Sequence, residues 1–485
     1  MKGYSSIDTL DSPALLDEGM KPEGLTTYGS FAAFAVTLNA IVGTGCFALP
    51  YAFQSGGLGL ATFLLVFASG LSLVSMIFTL EAMARAEGAE EGAGSVVVIG
   101  TMHRLTSRKH DFAKIARQFG GRRLEAVTQL CLQCYGLGTL CAYASVFGST
   151  VASLVSSEGD CDPSSDASCF RSYQVSVLLF GVLVVALSLV DLGDQAVFQN
   201  VLSVYRLVAL VIMIVTAGVG VVVGEEAAVV AERARRIGVA KWRNVGFVIG
   251  PTFLALAVHY NVPDLLQPLA DKSKAGVVTF GAQIVAASLY LCLGVVGALA
   301  FDDVRPLATL NWRNYGADDP TVFKTVVIRY LILLAPVVNV VSAYPLVGRT
   351  VAANGLQTLS FFRRRSGDHR PPPSSSRGRA VVVARLVATV PPIFVAATLT
   401  HLATVFAVAG LFGLLLSLTV PAALQFASIA YCLRHKRPGD DDLAATKTPF
   451  TFKRLVPPSK ALAALFLAFS LLVTAVATVS LFLSD

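Results

Sequence analysis

Long apolar runs recur throughout this chain of 485 residues, and most are long enough to cross a bilayer as an α-helix of about 20 residues. Only 14% of the residues are charged while 54% are hydrophobic, which leaves too little charged surface for a water-soluble protein of this size. The sequence therefore predicts an all-α polytopic membrane protein in a lipid bilayer. We expect about 11 transmembrane helices, at residues 30–53, 57–83, 124–155, 173–190, 197–223, 244–267, 276–301, 323–356, 380–398, 400–432 and 460–483.

We expect one transmembrane domain that is preceded by a polar tail. Residues 1–29 form a net acidic cytosolic tail, and residues 30–485 form the membrane domain. Within it, repeat one covers 30–223, repeat two covers 244–432, and 460–483 adds an extra helix.

The net charge of +7 has to be interpreted by its location. Basic residues cluster in 85–123, 363–379 and 434–454, which places these loops and the N-terminus in the cytosol. The basic, Pro/Ser-rich segment 357–379 is expected to be a cytosolic loop, with attraction to anionic lipid as a secondary role. No phosphate-binding glycine loop or aromatic–basic platform accompanies these charges, so we expect no nucleic-acid partner.

The eight cysteines show no metal-ligand spacing, and we expect no metal site and no cofactor beyond a coupling ion, H⁺ or Na⁺. Most lie in apolar spans as small buried hydrophobic residues. Cys161 and Cys169 instead lie in a polar loop, CDPSSDASC, on the predicted non-cytosolic side, where a disulfide would be stable.

The first span contains residues that interrupt a helix, LNAIVGTGCFALPYAF at 38–53. Gly destabilises a helix interior by about 1 kcal/mol and Pro by about 3 kcal/mol, and freed backbone groups in hydrocarbon have no water to bind. Glycine as a helix-packing residue is the alternative explanation. If the span is broken, the substrate-binding residues of the first break are Ile41, Val42, Gly43, Thr44 and Gly45.

The sixth span is interrupted at the corresponding position of the second half, before Pro263. Secondary transporters place their substrate between such paired breaks, so His259, Tyr260 and Asn261 are the second set of candidate substrate-binding residues. His259 suits either proton coupling or helix capping. Helix N-termini attract a carboxylate and C-terminal carbonyls attract a cation, so a zwitterionic amino acid fits both ends.

Other polar residues within spans have competing explanations. Asn339 and Ser342 in the eighth span suit a coupling cation or hydrogen bonds between helices equally well. Glu81 and Arg206 lie near cytosolic span ends, where long charged side chains commonly reach the interface.

The motif at 38–53 resembles the first span of the amino acid/auxin permease family, the amino-acid transporter transmembrane group of the amino acid–polyamine–organocation superfamily. A closer similarity is to its transmembrane protein 104 branch, through LEAMARAEG (80–88), VHYNVPDLLQPLADKSK (258–274), LNWRNYG (310–316) and VVNVVSAYPLVGRTVAANG (337–355). The resemblance implies a five-plus-five inverted repeat (LeuT-like) with broken helices 1 and 6. It also implies amino acid transport coupled to Na⁺ or H⁺, with Asn39 at the coupling-ion site beside Asn339 and Ser342.

The leading hypothesis is a secondary active transporter of neutral amino acids, which is not an enzyme and has no catalytic residues. A rival is an amino-acid sensor that signals through a cytosolic partner at the N-terminal tail. An enzyme that depends on His259 and His401 is disfavoured, because neither histidine is paired with a nucleophile or carboxylate. Asp11 followed by Leu15-Leu16 fits an acidic dileucine sorting signal, which would send the protein to a lysosomal, vacuolar or other internal membrane; the plasma membrane is the alternative location.

Overall fold

The computed structural model describes the membrane-spanning part of the chain and most of its connections. The described residues are 27–91, 105, 111–155, 166–189, 196–224, 226–315, 323–365, 374–399, 401–436, 441–451 and 458–483. The dileucine signal, Cys161 and most of the predicted N-terminal tail lie outside them.

Ten described helices are long and apolar enough to cross a membrane, and an eleventh span results when a bent pair of helices is counted as one. The chain is therefore an integral, multi-pass, all-α membrane protein, as predicted. The helices are α1 (Ser30–Ile41), α2 (Leu49–Gly56), α3 (Leu58–Glu91), α4 (Phe112–Val155), α5 (Ala167–Leu189), α6 (Ala196–Val219), α7 (Ala227–Ile237), α8 (Val245–Leu256), α9 (Val262–Leu266), α10 (Ala275–Ala300), α11 (Phe323–Arg365), α12 (Ser374–Thr398), α13 (Leu402–Leu414), α14 (Val420–His435), α15 (Asp442–Thr446) and α16 (Lys460–Leu483).

Several helices extend beyond the apolar runs that mark them in the sequence. Helix α11 continues to Arg365 and α12 begins at Ser374, so helix occupies both flanks of the segment 357–379 that we expected to be a loop. The backbone hydrogen bonds of a helix do not require lipid, so a helix can continue through polar residues beyond the apolar run that predicts it. Helix α4 likewise begins at Phe112, with a kink at Gly121, where φ is +64°.

Among the short elements of the described residues, three that were not predicted make contacts with the long helices or their connections. Helix α7 is amphipathic, and the guanidinium of its buried Arg233 donates to Asp302 at 3.0 Å beyond the end of α10. A 3₁₀ segment, Ala308–Asn314, places Trp312 against Phe301. The third is α15, which lies in the loop after the tenth span.

A buried ion pair anchors the loop that contains α15. Glu81 and Arg85 on α3 lie 2.8 Å apart, and both side chains are fully buried. Arg85 also donates to the carbonyl of Thr446 and to Gln425, while Thr451 donates to Glu81. The expectation that Glu81 reaches the membrane interface is therefore wrong, because the loop supplies polar partners inside the protein.

Helices α8 and α13 pack most closely where glycines face each other. A Cβ atom added at Gly410 would lie 1.8 Å from the carbonyl oxygen of Gly250, so only glycine allows this approach. The close contact fixes the sixth span, which contains the second predicted break, against the tenth.

Candidate functional site

The first span is broken at Val42 and Gly43, as the glycine motif predicts. Helix α1 ends at Ile41, a 3₁₀ turn covers Thr44–Ala48, and α2 continues to Gly56. The two parts of the span are bent by 47° relative to each other. Pro50 lies in the first turn of α2. Proline has no backbone N–H, and at this position a helix does not need one.

The carbonyl groups freed at the end of α1 are met by side chains from distant helices. The guanidinium of Arg206 on α6 donates through Nη1 to the carbonyls of Asn39, at 3.3 Å, and Val42, at 3.2 Å. The hydroxyl of Tyr290 on α10 donates to the carbonyl of Ile41 at 2.9 Å. These contacts replace the water that a helix end would bind outside a membrane.

The sixth span is interrupted at Ala257 and Val258, one position before the predicted residues. Helix α8 ends at Leu256, a 3₁₀ turn covers His259–Asn261, and α9 follows. The hydroxyl of Tyr290 lies 3.2 Å from the carbonyl of Ala255, so one side chain contacts the C-terminal ends of both α1 and α8.

The two breaks lie side by side. A Cβ atom added at Gly45 would lie 2.8 Å from the backbone nitrogen of Ala255, which shows how closely the segments approach. Gly43 differs, since it is half-buried and an added Cβ would meet nothing nearer than the carbonyl oxygen of Ile41 at 3.9 Å. Gly45 is therefore required for packing, whereas a Cβ atom at Gly43 would make only an ordinary van der Waals contact.

Aromatic hydroxyl groups connect the breaks from α4. The ring of Tyr135 packs edge-on against Tyr260, with centroids 5.3 Å apart. The hydroxyl of Tyr143, also on α4, interacts with the side chain of Thr44 in the first break. Tyr260 and Asn261 are both half-buried, so part of each side chain remains accessible beside the breaks.

His259 points to a different helix. Its fully buried imidazole places Nε2 3.0 Å from the hydroxyl of Ser75 and 3.0 Å from the carbonyl of Ser72 on α3. A carbonyl only accepts, so Nε2 carries the hydrogen and Nδ1 is a bare acceptor, which has no hydrogen-bond partner. The contact fastens the second break to α3, and a role of His259 in substrate binding stays a prediction.

The predicted coupling-ion residues lie on two elements near the first break. Asn39 is in the last turn of α1, where its carbonyl accepts from Arg206. The hydroxyl of Ser342 donates to the carbonyl of Asn339 at 2.8 Å, within α11, which packs against α6 and the Thr44–Ala48 turn. Their binding of a coupling ion stays a prediction.

Arg206 and Tyr290 belong to this site but were not predicted from the sequence. Arg206 was expected to reach the membrane interface, and that expectation is wrong because its guanidinium contacts the break. An ionisable residue within an apolar span is a signal of function by itself, so the sequence did contain a pointer to Arg206. Tyr290 gave no such signal, because a tyrosine in a membrane helix is common.

Cys169 is disulfide-bonded. Its predicted partner, Cys161, lies outside the described residues, so the pairing stays a prediction.

The fold and the paired breaks define a class: a polytopic helical membrane protein whose first and sixth spans are interrupted side by side. The family model described as "Transmembrane amino acid transporter protein" matches residues 26–433. The chain belongs to this family of membrane transporters.

The relatives that match share one name. The chain is 27% identical over 350 residues to the transmembrane protein 104 homolog of Caenorhabditis briggsae, which covers 68% of each chain. It is 22% identical over 453 residues to transmembrane protein 104 of Mus musculus, which covers 82% of this chain and 87% of the relative. A Drosophila melanogaster homolog is 21% identical over 402 residues, 70% of this chain and 77% of the relative. The similarity to this branch, inferred above from short motifs, extends over most of the membrane domain.

Proposed function

We propose that this chain is a secondary active transporter that moves neutral amino acids across a membrane by alternating access, driven by an H⁺ or Na⁺ gradient. The observation that carries the proposal is the juxtaposition of the two breaks, because Tyr290 contacts the carbonyl ends of both α1 and α8. Interrupted helices in corresponding positions of two repeats are the usual substrate site of such transporters.

The backbone of the first break suits a carboxylate. The first N–H groups of a helical turn have no partner within the turn, and the turn that begins at Thr44 directly follows the half-buried Gly43. A carboxylate of an amino acid that lies there would accept hydrogen bonds from N–H groups in the segment Gly43 to Gly45.

The ammonium group then has to be bound by the second break. The carbonyls of Asn39, Ile41 and Val42 already accept from Arg206 and Tyr290, so they offer little to a further cation. We therefore place the ammonium near the interruption at Ala257 and Val258, where a helix C-terminus favours positive charge. The accessible Tyr260 and Asn261 would complete the pocket.

Two five-span repeats, 30–223 and 244–432, account for the corresponding positions of the breaks. Rocking of one group of helices against the other around a fixed site would open it to each side in turn. The N-terminus is cytosolic in this proposal, because the basic clusters at 85–123, 363–379 and 434–454 each follow an even-numbered span. The loop after the fifth span, which carries five basic residues, is the exception.

For the membrane, we propose a lysosomal or vacuolar location. The acidic dileucine pattern from Asp11 to Leu16 supports it. Replacement of Leu15 and Leu16 by alanine should move a fluorescent fusion to the plasma membrane. A distribution that does not change would contradict this part of the proposal.

Uptake into proteoliposomes tests the function directly. Purified protein should accumulate a labelled neutral amino acid when a pH or sodium gradient is imposed, and empty liposomes should not. Binding of the amino acid without uptake under either gradient would contradict the transporter and favour the sensor.

A further inference from the structure

A groove lies between the start of the sixth span and the end of the last helix. One wall is formed by residues 242–245 and the other by one side of α16, within residues 475–483. Its volume is about 400 Å³, and small-molecule sites typically measure about 300 to 1,000 Å³. Ser480 holds the two walls together, because its hydroxyl accepts from the N–H of Gly246 and donates to the carbonyl of Arg243, both at 3.0 Å.

The α16 wall of the groove is apolar and faces outward from the helix bundle. Val476, Val479 and Leu483 are spaced three and four residues apart, so they share one side of the helix. Their exposed fractions are 48%, 56% and 65%. Exposed aliphatic side chains on a membrane-spanning helix contact lipid, so hydrocarbon chains surround this side of the groove.

Trp242 and Arg243 give the groove the residues of a membrane interface. Trp242 is 70% exposed, and tryptophan is enriched where the hydrocarbon meets the lipid headgroups. Both walls also lie at the ends of apolar spans, one that begins at Trp242 and one that ends at Leu483. A lipid whose acyl chain lies against α16 would therefore have its headgroup near Arg243.

Arg243 has no acidic partner among the described residues. It is one of the five basic residues in the connection after the fifth span. The three arginines of α7, in the same connection, all contact a carboxylate, that of Asp302 or that of Glu232. Arg243 is exposed and donates instead through Nη2 to the carbonyl of Leu483, at 3.4 Å. Its guanidinium therefore remains able to bind an anion, and phosphate is a preferred partner of arginine.

We propose that this groove binds an anionic phospholipid, whose phosphate pairs with Arg243 and whose acyl chain lies along Val476 and Val479. Basic pockets between membrane-spanning helices bind anionic lipid headgroups in other membrane proteins. The bound lipid bridges the start of the sixth span and α16. The site does not include either break, so the proposal is independent of the proposed function.

Quenching of tryptophan fluorescence by brominated lipids tests the proposal on the purified full-length protein in phosphatidylcholine vesicles. The chain has two tryptophans, of which Trp312 is buried and Trp242 lines the groove. The signal of Trp242 is obtained as the difference from Trp242→Phe. Brominated phosphatidylglycerol should associate about fivefold more strongly than brominated phosphatidylcholine, which corresponds to about 1 kcal/mol for one basic residue.

Variants with matched controls separate the headgroup from the groove. Arg243→Gln should abolish the preference for phosphatidylglycerol, and Arg243→Lys, which keeps the charge, should retain most of it. Arg235→Gln removes the same charge from the same connection outside the groove and should keep the full preference. Ala475→Phe fills the groove and should reduce quenching by both lipids, whereas Ala468→Phe, at an exposed position about two turns earlier on α16, should not.

Equal association of the two lipids, an unchanged preference in Arg243→Gln, or an equal loss in Arg235→Gln would each overturn the proposal. A Trp242 signal that neither lipid quenches would show that a second copy or another part of the protein covers the groove, and this would overturn it as well. The assay measures no flux, so none of these results bears on transport.

Discussion

The hydroxyl of Tyr290 lies 2.9 Å from the carbonyl oxygen of Ile41, at the point where the first membrane span stops being a helix. The same hydroxyl lies 3.2 Å from the carbonyl of Ala255, near the end of the helical part of the sixth span. One side chain of the seventh span therefore links two breaks that are more than 200 residues apart in sequence. This link is the structural basis for treating the breaks as one site.

Tyr290→Phe removes the hydroxyl and keeps the ring. We expect a loss of about 1 to 3 kcal/mol in the free energy of unfolding, because the two buried carbonyls that share the hydrogen of this hydroxyl lose it. Substrate affinity should fall as well, because the relative position of the breaks is less fixed. Unfolding in mixed micelles and ligand binding measure the two effects. Tyr330→Phe, at an exposed position on α11, is the control and should change neither. Equal behaviour of both variants would contradict the role given to Tyr290.

The two glycines of the first break should respond differently to alanine. Gly45→Ala forces a methyl group against the backbone of Ala255 and should lower the stability by about 1 to 3 kcal/mol. Gly43→Ala adds a methyl group that would lie 3.9 Å from the carbonyl oxygen of Ile41, an ordinary contact distance, so the protein should fold normally but bind substrate more weakly. Melting temperature and binding affinity, measured on both variants, separate packing from binding. A Gly43→Ala protein with the affinity of the wild type would show that the substrate does not occupy this space.

The buried pair of Glu81 and Arg85 should be critical for folding. Glu81→Gln leaves the fully buried Arg85 guanidinium without its counter-charge, which is expected to destabilise the protein by about 3 to 5 kcal/mol. Removing both charges, with Glu81→Gln and Arg85→Met, should restore part of this loss. Glu232→Gln, which breaks the exposed pair with Arg235, is the control and should have no measurable effect. Thermal unfolding in detergent measures all three. A Glu81→Gln protein that is as stable as the wild type would show that this ion pair is not critical for folding.

We expect the stability of the protein to depend on pH through Asp302, which follows the end of α10. The Arg233 guanidinium donates a hydrogen bond to Asp302, and this bond together with the positive charge holds the pKa of that carboxyl below its ordinary value of 3.8. A pKa that is lower in the folded protein stabilises it above the ordinary value and loses this effect as the pH falls through the lowered value. The melting temperature of the wild type should therefore exceed that of Asp302→Asn between pH 7 and about 5, and the difference should shrink below about pH 4. A difference that persists unchanged to pH 3 would contradict the assignment.

Local sequence signals were sufficient for the spans and for both breaks. Apolar length marked α10 and α16 closely, and the glycines between Ile41 and Cys46 marked the first break, where the effect acts within one turn of helix. The sixth-span break was recognised from its position in the second half of the chain together with Pro263. It starts slightly earlier than predicted, because Ala257 and Val258 carry no helix-breaking signal of their own.

The partners of the breaks were not predictable in the same way. Arg206 reaches Val42 across 164 residues of sequence, and Tyr290 reaches Ile41 across 249, so no local pattern records either contact. Helix α7 was missed for another reason, since its charged face keeps the mean hydropathy below that of a span. The contacts of Arg206 and Tyr290 result from the packing of helices that are distant in the chain.

A structure with bound amino acid, determined by cryo-electron microscopy in lipid nanodiscs, tests the central claim most directly. We expect ligand density between the two breaks, with the carboxylate within hydrogen-bond distance of the N–H groups from Gly43 to Gly45. Ligand that is bound elsewhere while this space stays empty at saturating concentration would contradict it.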